Sequence, residues 1–344
     1  MSATQESTSI TVIGAGILGL WQALTLARAG HRVRLIEASA AADPFAAGAS
    51  RHAGAMLAPD CEGEAAPEIV RAYGHHGLAL WRQTYPDLVC AGTLVVAAAR
   101  DRSELTRFAR VTSGHRTLEN NDIAALEPDL AGRFAAGLHF PAEAHMTTPD
   151  AMAFLLKEVT RAVRGAAGEV RLGAGSVDPA SFDGIIVDCR GLLARADIAT
   201  LRGVRGEKLV VRAHDVVLSR PVRLLHPRHP IYVVPWRDKQ FLIGATVLES
   251  EDDGPATVRS ALELLGLAYA LAPGFGEAEI LDMGAGLRPA YPDNVPRVTV
   301  EAGGRIVRVN GAYRHGFLLA PVLADVVTNV IADAAFAHPL LVRA

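Results

Sequence analysis

An α/β fold is predicted for this chain: a parallel-sheet nucleotide-binding domain interrupted by an antiparallel-sheet α+β domain. Three observations carry it. A strand–glycine loop–helix–strand unit opens the chain, paired strand patterns of antiparallel type fill its second half, and βαβ character returns near the C-terminus. At 344 residues, half of them apolar, the chain is long for one core and suits two coupled lobes.

The first unit reads "ITVIGAGILGLWQALTLARAGHRVRLIE". Ile10 to Ile13 is a short apolar run of the kind buried in parallel sheets. Gly14-Ala15-Gly16-Ile17-Leu18-Gly19 follows, then a helical pattern to Ala29, closed by Gly30. A second strand, Val33 to Ile36, ends at Glu37. This is a Rossmann-type GxGxxG unit with its acidic residue in register. Gly14 makes the turn, Gly16 lets the backbone approach a pyrophosphate, and Gly19 lets helix and strand pack closely. The pyrophosphate is expected on the N–H groups at the helix start. Glu37 suits an adenosine ribose and would repel a 2′-phosphate, which argues against NADP.

Further along, Arg100–Thr112 and Thr147–Val163 read as helices, the latter with Thr148 as N-cap, Pro149 at its first position and Met152, Leu155, Leu156, Val159 and Val163 as its apolar face. "GIIVDCRG" (184–191) is a buried strand running into a turn. "KLVVR" (208–212) and "IYVVPWRDKQFLIGATV" (231–247) read as antiparallel, the second as two strands around a polar turn. Residues 255–271 form an amphipathic helix with Val258, Leu262, Leu265 and Tyr269 expected on the buried face.

Composition excludes several functions. A net charge of −3 and a pI near 6.5 give no field for nucleic acid or anionic lipid. Cys61, Cys90 and Cys189 make no metal-ligand spacing, so no metal is expected, and they suit a reducing, cytoplasmic compartment. The opening "MSATQESTSI" lacks the charge and apolar run of a signal peptide. Phe317–Ala337 is apolar but carries Asp325, Asn329 and Asp333, which reads as a buried helix instead of a membrane span. A homo-oligomer is compatible with the sequence. A second GxGxxG is absent, since "GFGEAE" lacks the third glycine and "GAGLRP" is followed by no helix. One dinucleotide is therefore expected, NAD or FAD.

The longer motifs narrow the choice. "GASRHAGAMLAP" (48–59), "LEPDLAGRFAAGLHFPAEAHMTTPDA" (126–151) and "GVRGEKLVVR" (203–212) are followed by "RLLHPRHPIYVVPWRDKQFLIGAT" (223–246), "GAGLRPAYPDNVPRV" (284–298) and "NGAYRHGFLLAP" (310–321). In this order they resemble the D-amino-acid oxidase family of flavoproteins, most closely its glycine oxidase branch, the ThiO proteins of thiamine biosynthesis. The resemblance implies a D-amino-acid-oxidase-like FAD-binding domain at 1–80, 146–205 and 282–344, and a substrate domain at 81–145 and 206–281. FAD would be noncovalent, as no Cys or His stands in a recognisable attachment motif.

By the same resemblance, FAD is held by Gly14, Ala15, Gly16, Ile17, Gly19, Glu37, Ala38, Ser50, Val170, Cys189, Gly191 and Gly286. Arg314, His315, Gly316, Phe317 and Leu318 wrap its pyrimidine end, and Gly54 and Met56 face its ring. The helix after "YRHG" aims its positive end at that edge, favouring the anionic reduced flavin, with Pro321 expected in its first turn. An amino-acid substrate presents its carboxylate to Arg288 and to the Tyr232 hydroxyl, with Arg314 by the same pocket. The chemistry implied is hydride transfer from Cα to flavin N5, leaving an imino acid, with O2 as acceptor. His52, His75, His76 and His315 receive no acid or base role. Cys189-Arg190 and Ala312 depart from the family pattern and bear on pocket size. Two alternatives stay open: a D-amino-acid or amine dehydrogenase feeding a quinone, and a flavin-binding protein without turnover, against which Arg288 and Tyr232 argue.

Overall fold

The structure is a computed structural model that describes residues 9–46, 48–301 and 303–344. In chain order it begins β1 (Ser9–Ile13), α1 (Ile17–Arg28), β2 (Arg32–Ile36), β3 (Met56–Leu57), α2 (Glu68–Thr84) and β4 (Thr93–Ala97). Then come α3 (Arg102–Val111), β5 (Arg116–Glu119), α4 (Asn120–Leu126), β6 (Ala136–Phe140), β7 (Ala144–His145) and α5 (Thr148–Gly165). Next are β8 (Glu169–Arg171), β9 (Ile185–Asp188), β10 (Arg202–Arg212), β11 (Val222–Leu225), β12 (Ile231–Pro235) and β13 (Gln240–Gly244). The chain ends with α6 (Val258–Leu271), β14 (Glu279–Ala290), β15 (Arg297–Val300), β16 (Ile306–Asn310), α7 (Gly316–Ala332) and β17 (Leu341–Arg343).

Two compact units result: 1–53, 149–203 and 288–344 form the first, 54–148 and 204–287 the second. The first holds a seven-stranded sheet in the order β17-β15-β16-β9-β1-β2-β8. Its centre is parallel, with β1 between β2 and β9. Ile10, Val12, Val33 and Leu35 are fully buried, as parallel strands covered on both faces require. α5 buries Met152, Leu155, Val159 and Val163, the face that its sequence pattern indicates. Chain connectivity departs from β1 in one direction through α1 to β2, while β9 lies on its other side. That switch point is where open α/β sheets bind ligands.

The second unit holds an eight-stranded, mainly antiparallel sheet in the order β14-β10-β13-β12-β11-β4-β6-β5. β12 and β13 pair antiparallel, Val233 opposite Ile243, around a turn in which Asp238 and Lys239 take positive φ. One core joins Leu209, Val211, Val233 and Ile243 of the sheet to Leu264, Ala268 and Leu271 of α6.

Two expectations are corrected here. Residues 54–80 group with the second unit instead of the nucleotide-binding part, because β3 pairs with β7 and the Cys61 N–H donates to Glu143 Oε1. Of the α6 face expected to be buried only Leu265 packs on the core: Val258, Leu262 and Tyr269 are 76%, 68% and 56% exposed. That helix is apolar nearly all round, so its period does not choose a face; packing on the sheet does. Cys61 and Cys189 are buried and Cys90 is exposed. No helix among the described residues is long and apolar enough to cross a membrane.

Candidate active site

In the first unit the site is built on the turn between β1 and α1. Gly14 takes φ +100° and its N–H donates to Ile36 O at 2.8 Å. A Cβ there would stand 2.7 Å from Cys189 O, and one at Gly19 would stand 1.7 Å from Gly14 O. At Gly16, by contrast, the nearest atom to an added Cβ is Ser50 Oγ at 3.4 Å. The outer two glycines close the turn on backbone atoms, whereas a side chain at the middle one would press on the Ser50 hydroxyl. The Ile17 N–H donates to Ser50 Oγ at 3.0 Å, which fixes the loop at 48–52 against the start of α1.

Glu37, at the end of β2, accepts from the Ala15 N–H (2.6 Å) and the Ser39 N–H (2.8 Å). Its carboxylate therefore shapes the glycine loop itself, a role that its place in the motif did not announce. Ala38 follows it, its carbonyl taking the Gly175 N–H, and Val170 lies beside it on β8, opposite Leu35.

β9 closes the other side. The Cys189 N–H donates to Ile13 O at 2.8 Å. Asp188 is fully buried and takes both arms of Arg190 (2.9 and 2.8 Å) and one of Arg308 (2.5 Å), while Asp197 takes Arg190 as well. These hydrogen bonds push the Arg190 guanidinium further up. The arginine that departs from the family pattern is thus committed to an ion network. Asn310, fully buried, donates from Nδ2 to Gly191 O at 3.0 Å and accepts the Gly311 N–H on Oδ1 at 2.8 Å. It ties the turn after β9 to the turn before α7, and its only sequence signal is the Asn-Gly pair that marks turns.

Gly311 has φ +75°, and a Cβ there would enter the Tyr291 ring at 2.0 Å. The Tyr313 N–H donates to Pro289 O and the His315 N–H to Ala312 O. α7 then starts at Gly316, whose Cβ position lies 3.4 Å from Ile17 Cγ2. The N-termini of α1 and α7 thus begin side by side, and neither N-cap residue, Gly16 or His315, supplies a side-chain cap. Their positive ends converge on one place. Pro321 is the sixth residue of α7, in its second turn and not its first, because the helix begins only after the His315 turn.

Of the residues predicted to hold the cofactor, Gly14, Ala15, Gly16, Ile17, Gly19, Glu37, Ser50, Cys189, Gly191 and Gly316 are joined by these contacts. His315, Phe317 and Leu318 are buried at the start of α7, and Arg314 is half-buried beside them. A glycine turn at 14–19, two helix starts and a carboxylate at the end of β2 fit a dinucleotide. Gly286 and Arg288 lie on β14, half-buried.

The second unit brings together Gly54, Met56 and Tyr232. Tyr232 stands opposite Gly244 across β12–β13. A Cβ on Gly54 would be 2.8 Å from Tyr232 Cε2, and one on Gly244 would be 2.9 Å from its Cε2, Cζ and hydroxyl. Two glycines, one in the loop before β3 and one at the end of β13, therefore form a slot for this ring. Met56 is half-buried and pairs with His145.

Fold and cradle together define a dinucleotide-binding oxidoreductase. Residues 9–330 match the family described as FAD dependent oxidoreductase, and the chain belongs to that family. Its cofactor is FAD. The chain is 51% identical to a Rhizobium etli protein named as a thiamine biosynthesis oxidoreductase ThiO, over 93% of this chain and 95% of that one. It is 25% identical to the glycine oxidase of Geobacillus kaustophilus, over 94% and 92% of the two chains. In fold it matches the crystal structure of glycine oxidase from Bacillus cereus with TM-score 0.80 and 20% identity, over 97% of each chain. These matches place it in the glycine oxidase and ThiO branch that its motifs resemble.

Proposed function

We propose that the chain oxidises glycine, or another small D- or N-methyl amino acid, at its Cα–N bond. When bound, FAD would supply the hydride acceptor, with dioxygen as the final electron acceptor, so that the products would be an imino acid and hydrogen peroxide. Arg288 holds the substrate carboxylate through its planar fork, and the Tyr232 hydroxyl adds a second contact. Arg314 lends positive charge on the same side. Gly54 and Met56 line the flavin-facing strap, and Gly286 completes the cradle. Positioning of the Cα–H bond, with the amine deprotonated, is the chief contribution of these side chains.

The observation that carries the reading is the Tyr232 slot. Backbone at 54 and 244 gives up side chains so that one phenol can be held rigidly, which suits an anchor for a small polar substrate. The whole-chain likeness to ThiO supports a role in the thiazole branch of thiamine biosynthesis, with the glycine imine as the unit delivered.

Purified protein with the absorption bands of oxidised flavin, bleached anaerobically by glycine, would support the proposal. A peroxide assay over glycine, sarcosine and D-alanine then ranks the substrates. Reduction of a quinone analogue without oxygen uptake would replace the oxidase reading by a dehydrogenase, and no bleaching by any of the three would remove it.

A further inference from the structure

Four consecutive residues of the second unit, Glu143 to Met146, hold the strap Gly54–Leu57 from below. The Met146 N–H donates to Ala55 O at 3.2 Å, His145 pairs with Met56, and Ala144 pairs with Leu57. On its other edge the same stretch is clamped to residues 89–92: His145 exchanges backbone bonds with Val89, and the Gly92 N–H donates to Glu143 O. Ala55 sits in this ribbon at φ +50°, a conformation that alanine holds only when its surroundings impose it.

The fourth fastening is a side chain. Glu143 is fully buried, and its Oε1 accepts the Cys61 N–H at 2.7 Å, anchoring the turn that ends the strap. Its Oε2 is buried with no hydrogen-bond partner, the Thr93 hydroxyl lying next to the carboxyl without forming a well-aligned bond. We propose that Glu143 is a positioning residue: its carboxyl pins the turn at 61–64 to the β6–β7 corner and so fixes the course of the strap that carries Gly54 and Met56.

The pin works as the neutral acid. Burial pushes the group up to about 8 against the opposing hydrogen bonds from Thr93 and the Cys61 N–H, with smaller additions from the Asp60 and Glu62 carboxylates. The charges around it do not offset ionisation. Asp60, itself buried, is bonded to Arg71 and His75, and Arg223 is spent on Glu64, with the Phe108 ring and the Cys61 sulfur beside its guanidinium. Arg220 is bonded to Glu127 and Ala91 O. His139 and His145 are both held towards their neutral forms by burial. No ion pair to Glu143 exists among the described residues. Ionised, the carboxyl would be a buried anion with the Thr93 hydroxyl and the Cys61 N–H beside it but no cation among the described residues to balance its charge.

The sign follows from linkage. A carboxyl whose folded value lies above its ordinary 4.5 binds more protons folded than unfolded, so it costs stability progressively as pH rises to about 8 and no further above it. Glu143→Gln keeps an acceptor for the Cys61 N–H and carries no charge. In the holoenzyme, its melting temperature relative to wild type is expected to rise between about pH 5 and 8 and then level off. Visible circular dichroism of the bound flavin in wild type is expected to change with a midpoint near 8, and to lose that change in Glu143→Gln. Identical pH profiles in the two proteins would overturn the proposal. Should Glu143→Gln not fold, infrared titration of wild type decides: a protonated-carboxyl band must vanish near pH 8, and its absence also overturns it. The dichroism arm rests on the reading that the strap faces the flavin, which fails separately. Met56→Ala would then leave the flavin spectra unchanged while the melting profiles still diverged.

Discussion

The glycine loop at 14–19 and the strap at 54–57 are both fixed by backbone hydrogen bonds and by glycines, but from different distances along the chain. The loop is completed by Glu37 and Ser50, 22 and 33 positions from the atoms they hold. The strap depends on β7, on Glu143, 82 positions from Cys61, and on a tyrosine from β12. The first is a unit that the local sequence specifies. The second exists only once distant strands have met, so its geometry is open to change without any alteration of its own residues.

The comparison can be broken at either region. The largest effect is expected at Arg288. Truncation to Ala leaves a desolvated carboxylate without its partner, about 2–5 kcal/mol, or on the order of 10²-fold or more in kcat/KM for glycine. FAD should stay bound, Arg288→Lys should recover part, and a neutral amine of similar size should be indifferent. Equal losses on both substrates would move Arg288 to a structural role and point to Arg314.

Next comes Glu37→Arg, which removes the acceptor of the Ala15 N–H in the glycine loop and that of the Ser39 N–H, each charge-assisted bond worth about 1.5–3 kcal/mol. FAD retention should fall clearly on gel filtration, with no NADPH-dependent activity gained. Unchanged occupancy would show that the loop holds its shape without the carboxylate. Tyr232→Phe deletes one hydroxyl and is expected to raise KM for glycine by roughly fivefold, about 1 kcal/mol, while the slot stays filled and the melting temperature holds. If only stability moves, the slot is packing and not recognition. The smallest effect is Ser50→Ala, which takes the acceptor from the Ile17 N–H and should cost about 1 kcal/mol of stability by thermal melting of the apoprotein.

Legibility followed the same divide. Gly14, Gly16, Gly19 and Glu37 could be placed from sequence because their spacing falls within one strand–loop–helix–strand unit, even though Cys189 and Ser50 close in on the loop from farther along the chain. The two strands around 236–239 were legible because alternation and a polar turn are local signals. Three things were not. The buried face of α6 is chosen by a sheet assembled from 94–97 and 209–243, and a helix apolar all round does not encode that choice. Membership of residues 54–80 in the second unit rests on β3–β7, a ladder only two residues long. Arg190 and Asn310 stand in motifs whose pattern indicates cofactor contact, yet the side chain of each is bonded inward, to Asp188 and to the backbone at 191 and 311.

The cysteines give the molecule a built-in attachment point. Burial pushes the Cys61 and Cys189 thiols well up, so neither offers a thiolate to a maleimide at neutral pH. Cys90 is exposed, and its neighbours are Val89, bonded to His145, and Ala91, whose carbonyl takes Arg220. A fluorophore or spin label added to the unmodified chain should therefore couple once, at the outer edge of the ribbon under the strap. Its mobility would report movement of that ribbon in solution, with no engineered residue required.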